Sequence, residues 1–158
     1  MSGTAGIAAV AVVLHVLSAT IWVGGMFFAL IVLRPASLPL EPGPHLELWS
    51  RALGRFFAWV IAAIVLILGS GYAMVFAVFG GFRGTGLYVN LMQVTGIAMM
   101  LLFFHIYFAP FRRFRAAVAR RDYPAAGRSL GQIRWLVTAG LTLGLITIAI
   151  GSGGRYWG

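Results

Sequence analysis

Four long apolar runs constrain the fold of this 158-residue chain more than any other feature of its sequence. They cover approximately residues 5–33, 56–79, 87–109 and 135–152. A helix needs about 20 apolar residues to cross the hydrocarbon layer, where it satisfies its own backbone hydrogen bonds. Only 9% of the residues are charged, so a water-exposed surface would be poorly covered. We therefore predict an all-α protein, an integral membrane antiparallel four-helix bundle with residues 1–158 in a single transmembrane domain.

The arginines predict how this bundle is oriented. The loops after the first and third runs, with their edges, carry ten of the twelve basic residues: Arg34, Arg51, Arg55, Arg112, Arg113, Arg115, Arg120, Arg121, Arg128 and Arg134. Only Arg83 and Arg155 fall on the other side. Because short cytoplasmic loops are enriched in arginine, we expect both termini in the periplasm and a location in the bacterial inner membrane. Anionic headgroups then account for the net charge of +9, and we expect no nucleic-acid partner.

Two arginine-containing segments outside the runs have helical apolar patterns. Residues 111–121 resemble a helical extension of the third span lying near the membrane surface. Residues 45–55 place Leu46, Trp49 and Leu53 on one stripe, which is typical of an interfacial helix. Four prolines between residues 35 and 44 predict a non-helical connector before it. We interpret His45, next to the last of these prolines, as an ordinary interfacial residue.

The composition excludes several kinds of chemistry. The chain has no cysteine, which excludes disulfides, thiolate metal sites and thiol catalysis. Its three acidic residues, Glu41, Glu47 and Asp122, are all predicted to lie outside the hydrocarbon. Nothing points to hydrolytic or nucleophilic chemistry, so reactions within the membrane depend on histidine, tyrosine or a cofactor.

His15 is the most unusual residue of the first span, because a titratable ring within the hydrocarbon is costly and needs a partner or a role. Ser18, Trp22 and Gly25 follow it at spacings of three, seven and ten residues, on one helical face. We predict that this stripe points into the bundle. Two interpretations stay open: the histidine bonds a neighbouring helix within a packing stripe, or it is a ligand for a metal or cofactor.

The third span is the most polar, and it contains the other candidate ligands. Asn90, Gln93 and Thr95 lie in its first half and His105 near its end, with Met92, Met99 and Met100 between. Imidazole and thioether together suit haem iron or Cu(I), although methionines in an apolar helix are commonly core residues. His15 and His105 differ in predicted depth by roughly 13 Å, which disfavours both binding one haem. The second and fourth spans carry no histidine. We interpret their small residues, in Gly69-Ser-Gly-Tyr and at Gly140 and Gly144, as helix packing.

The first span resembles the opening of CopD-family membrane proteins. The resemblance rests on Leu14-His15-Val-Leu-Ser-Ala-Thr-Ile-Trp22-Val-Gly24-Gly25, on Leu33-Arg34-Pro35, and on the ending Gly151-Ser-Gly-Gly-Arg155-Tyr-Trp157. It implies copper resistance or copper uptake. The same pattern is similar to the HemJ proteins, haem-binding protoporphyrinogen oxidases, and implies that His15 is a haem ligand. The third-span lysine of the HemJ proteins has no counterpart here, and the residue nearest to it in depth is Gln93. The absence of this lysine disfavours the oxidase activity and leaves haem binding open.

Three functional hypotheses follow for a protein surrounded by the lipid bilayer. The first is haem b binding and electron transfer, as an oxidoreductase or electron carrier, between quinone and a redox partner. The second is copper uptake or resistance, and the third is a non-catalytic accessory subunit, in a homodimer or a larger complex. The candidate cofactor-binding residues are His15, Trp22, Gly25, Gln93 and His105, and the candidate metal ligands are His15, His105, Met92 and Met99.

Overall fold

The computed structural model describes residues 3–156, so Trp157 of the C-terminal motif lies outside the described residues. The helices are α1 (Gly3–Phe27), α2 (Arg34–Ser37), α3 (Pro42–Phe79), α4 (Leu87–Phe108), α5 (Pro110–Ala119) and α6 (Tyr123–Gly153). A π-helical segment, Phe28–Leu33, joins α1 to α2, and short 3-10 turns lie at Phe82–Gly84 and Gly154–Tyr156. Within residues 3–156 there is no strand, which confirms the all-α prediction.

The long helices form an antiparallel bundle of four membrane-spanning segments. Four stretches are long and apolar enough to cross a membrane: Gly3–Ser37, Pro42–Phe79, Leu87–Ala119 and Tyr123–Gly153. The first packs most extensively on the second, and the third on the fourth. The first also packs on the fourth, where Val23 contacts Gly144. These features confirm the predicted four-helix membrane bundle.

The prediction of a separate interfacial helix over residues 45–55 is wrong, because these residues belong to the first third of the 38-residue helix α3. Leu46, Trp49 and Leu53 are buried in the bundle, since their stripe continues in phase with the apolar face of the span. Pro42 and Pro44 occupy the first turn of α3, where a helix makes no use of their missing N–H groups. The predicted non-helical connector is therefore reduced to residues 38–41.

A hydrogen-bonded cluster holds this connector in place. The buried hydroxyl of Ser37 accepts from the indole N–H of Trp49 at 3.0 Å and donates to the carbonyl of Arg34. Nδ1 of His45 lies 2.8 Å from the carbonyl of Ser37, to which it donates. His45 thus joins the start of α3 to the end of α2, a structural role that the sequence did not reveal.

The third and fourth segments also differ from their predicted bounds. The extension over residues 111–121 is helical through Ala119, but it is a separate helix, since Ala109 leaves the helical conformation just before Pro110. Phe111, Phe114 and Ala117 bury one face of α5 in the bundle. The fourth helix is 31 residues long rather than the shortest, and Asp122 caps it by accepting from the N–H of Ala125 at 3.1 Å.

The packed core occupies only the half of the bundle nearer the connectors 38–41 and 120–122, which we call the arginine-rich end. Helix α4 has no buried residue before Met99, and α6 has none after Gly144. A cavity of about 20 Å³, close to the size of one water molecule, lies between the helices in this half, beside Trp22 and Phe103. The opposite half, which contains His15, is much less tightly packed.

Candidate functional site

The side chain opposite His15 is Ser70 of α3. Nδ1 of His15 lies 3.1 Å from the Ser70 hydroxyl oxygen, and that hydroxyl donates its own hydrogen to the backbone carbonyl of Leu66. Since the serine hydrogen is already engaged, the serine oxygen accepts and Nδ1 of His15 carries the proton. In the neutral form of the ring, Nε2 is then the unprotonated nitrogen. This is the tautomer in which a histidine binds a metal through Nε2.

Gly71 allows the histidine ring to lie close to α3. A Cβ at Gly71 would lie 3.4 Å from Cε1 of His15 and 3.6 Å from Nδ1. A larger side chain would therefore push the ring away from Ser70. His15 itself is half-buried, so its ring is held against α3 without being enclosed.

The rest of the predicted stripe lies on the inward face of α1. Ser18 and Trp22 are almost completely buried, at 2% and 4% exposure. The Phe56 ring of α3 lies directly over Gly25, in the space that a Cβ would fill. Trp22 and Gly25 thus pack the bundle about two and three helical turns further toward the arginine-rich end than His15.

The structure does not bring His105 to His15. The rings of Trp22 and Phe103 meet edge to face with centroids 6.2 Å apart, which sets the level of α1 against the parallel helix α4. His15 precedes Trp22 by seven residues and His105 follows Phe103 by two, so the two histidines differ in depth by about 13 Å. His105 is also exposed on the outer surface of the bundle.

Met92 and Gln93 of α4 lie near the level of His15. Both are half-buried, and the Met92 thioether packs on Gly151, where a Cβ would lie 3.0 Å from its sulfur. Met99 is buried in the packed half and contacts Gly144. By the Trp22–Phe103 contact His15 is level with Gly96, so Met92 and Met99 lie about 6 Å and about 5 Å from its depth on opposite sides. Met92 is the one outside the packed core.

Open space lies beside Gly96, the residue of α4 that the Trp22–Phe103 contact places level with His15. Gly96 of α4 lies one turn beyond Met92 on the same helical face as Phe103, and no atom lies within 4 Å of the position of its missing Cβ. A second polar contact crosses this half between α4 and α6, where Thr147 donates to Thr95 at 2.8 Å. Across residues 3–156, no group of three or more His, Cys, Asp or Glu side chains is positioned to hold a metal ion.

Ser70 is the site residue that sequence reasoning missed. Gly69-Ser70-Gly71 was interpreted as helix packing, and the second span was taken to carry no ligand. The available signal was a serine between two glycines at membrane depth. A hydroxyl there needs a hydrogen-bond partner, and the glycines let a neighbouring helix approach closely.

Comparison with known proteins identifies the family. Residues 50–153, which include Ser70 and Met92, match the family model of CopD, copper resistance protein D. No curated protein and no solved structure matches the chain. His15 precedes the matched region, in the first span on which the sequence resemblance rests. Because the matched region covers most of its residues, the chain belongs to the CopD family of multi-pass membrane proteins.

Proposed function

We propose that this protein handles copper within the bacterial inner membrane, and that Nε2 of His15 is the ligand that receives the ion. The observation that carries the proposal is the hydrogen-bonded chain from His15 through Ser70 to the carbonyl of Leu66. An orienting bond to the other ring nitrogen fixes the tautomer and increases the basicity of a metal-binding imidazole. Membership of the CopD family supports copper as the metal.

The donors near His15 suit Cu(I) better than a hard cation. Imidazole and thioether bind copper, whereas Mg²⁺ and Ca²⁺ require carboxylate and carbonyl oxygens. The three acidic residues of the sequence, Glu41, Glu47 and Asp122, all lie in or near the connectors of the arginine-rich end. The half of the bundle around His15 therefore has no carboxylate. Met92 supplies a thioether outside the packed core and near the depth of His15. A site with few ligands lets the ion leave again.

The test is Cu(I) binding by the purified full-length protein in lipid nanodiscs, measured by competition with a coloured chelator. We expect His15→Ala to weaken binding at least tenfold, since it removes the ligand. The matched control is His105→Ala, which removes a histidine on the exposed surface and leaves binding unchanged. Copper uptake into vesicles, measured with the same variants, tests transport. Equal Cu(I) affinity of His15→Ala and the unaltered protein would exclude His15 as the ligand.

A second candidate is haem b bound through His15, favoured by the half-buried ring, its free Nε2 and the open interior beside Gly96. The packed half has no room for a macrocycle, so a haem would lie in the open half. There His15 would hold the haem, and bound haem would supply one-electron transfer between quinone and a redox partner. Ser70 would orient the ring, while the side chains around Gly96 would exclude water from the iron.

The optical spectrum separates the two candidates. We expect a reduced-minus-oxidised spectrum of haem-replete protein to contain no Soret or α band if copper is the ligand. A haem band that disappears in His15→Ala and persists in His105→Ala would show that the ligand of His15 is haem and not copper. Positive-inside arginine placement supports a periplasmic location for the His15 end in either case.

A further inference from the structure

Arg34 and Arg134 lie at nearly the same level on the first and fourth membrane segments. These segments run antiparallel, with Met26 against Gly140, where a Cβ would lie 3.3 Å from the methionine sulfur. Arg34 follows Met26 by eight residues and Arg134 precedes Gly140 by six, so their depths differ by only about 3 Å. The π-helical segment that ends at Leu33, just before Arg34, contacts α6, so the two arginines lie on either side of the seam between the segments. Arg34 is exposed and Arg134 is half-buried.

This arginine pair has no acidic partner among the described residues. The sequence has three acids, of which Glu47 pairs with Arg51 at 3.6 Å and Asp122 caps α6 through the N–H of Ala125. Glu41 forms no ion pair in residues 3–156. Arg134 is half-buried, so water screens its charge less than that of an arginine on the surface. Two close positive charges in this position favour the binding of an anion between them.

The surroundings of the pair are those of the lipid headgroup layer. Trp135, the next residue of α6 after Arg134, is 71% exposed. Exposed tryptophans mark the boundary between hydrocarbon and headgroups. The anion available in quantity at this depth is the phosphate of an anionic phospholipid.

We propose that Arg34 and Arg134 together bind the phosphate of an anionic phospholipid at the seam between the first and fourth segments. Guanidinium groups donate paired hydrogen bonds to phosphate oxygens, which a diffuse surface charge does not do. Basic pockets between membrane helices recognise headgroups in this way. The bound phosphate would link the first and fourth membrane segments, and the two arginines would not need to contact each other.

The experiment counts lipids retained by the intact protein. Full-length protein in nanodiscs of phosphatidylcholine with a minor fraction of phosphatidylglycerol is extracted into mild detergent, and bound lipid is counted by native mass spectrometry. We expect one phosphatidylglycerol to be retained, and Arg34→Gln with Arg134→Gln to reduce that occupancy at least tenfold. The matched control is Arg112→Gln with Arg128→Gln, which removes the same charge from exposed positions at the same end.

Three outcomes would overturn the proposal. The first is equal loss of lipid in the control, which would mean that only diffuse charge attracts it. The second is unchanged occupancy in the Arg34 and Arg134 double variant, with folding verified by thermal unfolding in phosphatidylcholine alone. The third is stabilisation by millimolar inorganic phosphate that equals the effect of phosphatidylglycerol, which would identify the ligand as free phosphate. Arg134→Lys keeps the charge without the guanidinium fork, and we expect it to lose most of the occupancy.

Discussion

Ser70 accepts a hydrogen bond from His15 across 3.1 Å, although the two residues are 55 positions apart in the sequence. The bond joins the first membrane segment to the second and determines which ring nitrogen is free. Under the proposed function, this contact between two helices is also a condition for ligand binding.

The first prediction concerns this bond. Ser70→Ala removes the acceptor for Nδ1 of His15, so we expect metal affinity to fall about 10- to 100-fold, less than in His15→Ala. Chelator competition in nanodiscs measures the change. Thr147→Ala is the matched control, because it removes a hydroxyl that donates to Thr95 at 2.8 Å on the other helix pair. An equal loss in both variants would show that the effect is structural.

The second prediction concerns the room that Gly71 leaves for the His15 ring. Gly71→Leu fills the space next to Cε1 and displaces the imidazole, so we expect affinity to fall about tenfold or more, as when an orienting bond is lost. Gly69→Leu adds the same side chain two residues away, where no atom lies within 4 Å of a Cβ, and leaves affinity unchanged. The same binding measurement applies to both variants. Retained affinity in Gly71→Leu would contradict the proposed ring position.

The third prediction compares two adjacent glycines of α1. A Cβ at Gly25 overlaps the Phe56 ring, whereas no atom lies within 4 Å of a Cβ at Gly24. We expect Gly25→Ala to lower the free energy of unfolding by about 1–3 kcal/mol. Gly24→Ala should leave it unchanged or raise it by up to about 1 kcal/mol. Reversible unfolding in mixed micelles measures both, and equal effects would refute the close approach of α1 and α3.

The fourth prediction concerns the cluster around Ser37. Ser37→Ala leaves the indole N–H of Trp49 buried without its acceptor, so we expect a loss of about 1–3 kcal/mol in unfolding free energy. The measurement is the same unfolding equilibrium. Trp49→Phe in the Ser37→Ala background removes the unpaired donor, and its additional cost should be smaller than that of Trp49→Phe alone. Additive losses would show that the two side chains do not interact.

The number and type of the membrane helices were predictable, because long apolar runs leave the backbone few alternatives. Their ends were not. Residues 42–55 and 123–134 contain prolines and arginines, which interrupt an apolar run although the helix continues through them. Leu46, Trp49 and Leu53 were recognised as one stripe, but whether that stripe faces lipid headgroups or the bundle depends on packing with distant helices.

For the candidate site, the inward face of α1 was predictable from the sequence, but the partner of His15 was not. The spacing of Ser18 and Trp22 after His15 correctly located the inward face of α1, since helical periodicity is a local property. The sequence analysis left open which neighbouring helix His15 bonds. Ser70 identifies it as the second, because the first and second segments pack most closely in the bundle, and spacing within one helix does not reveal that pairing.

The uneven packing of the bundle has a consequence for the passage of an ion along it. The layer of Trp22 and Phe103, with room beside it for about one water molecule, separates His15 from the arginine-rich end. An ion bound at His15, as proposed, would exchange with the compartment on the open side, and its delivery to the arginine-rich end would require these two rings to separate.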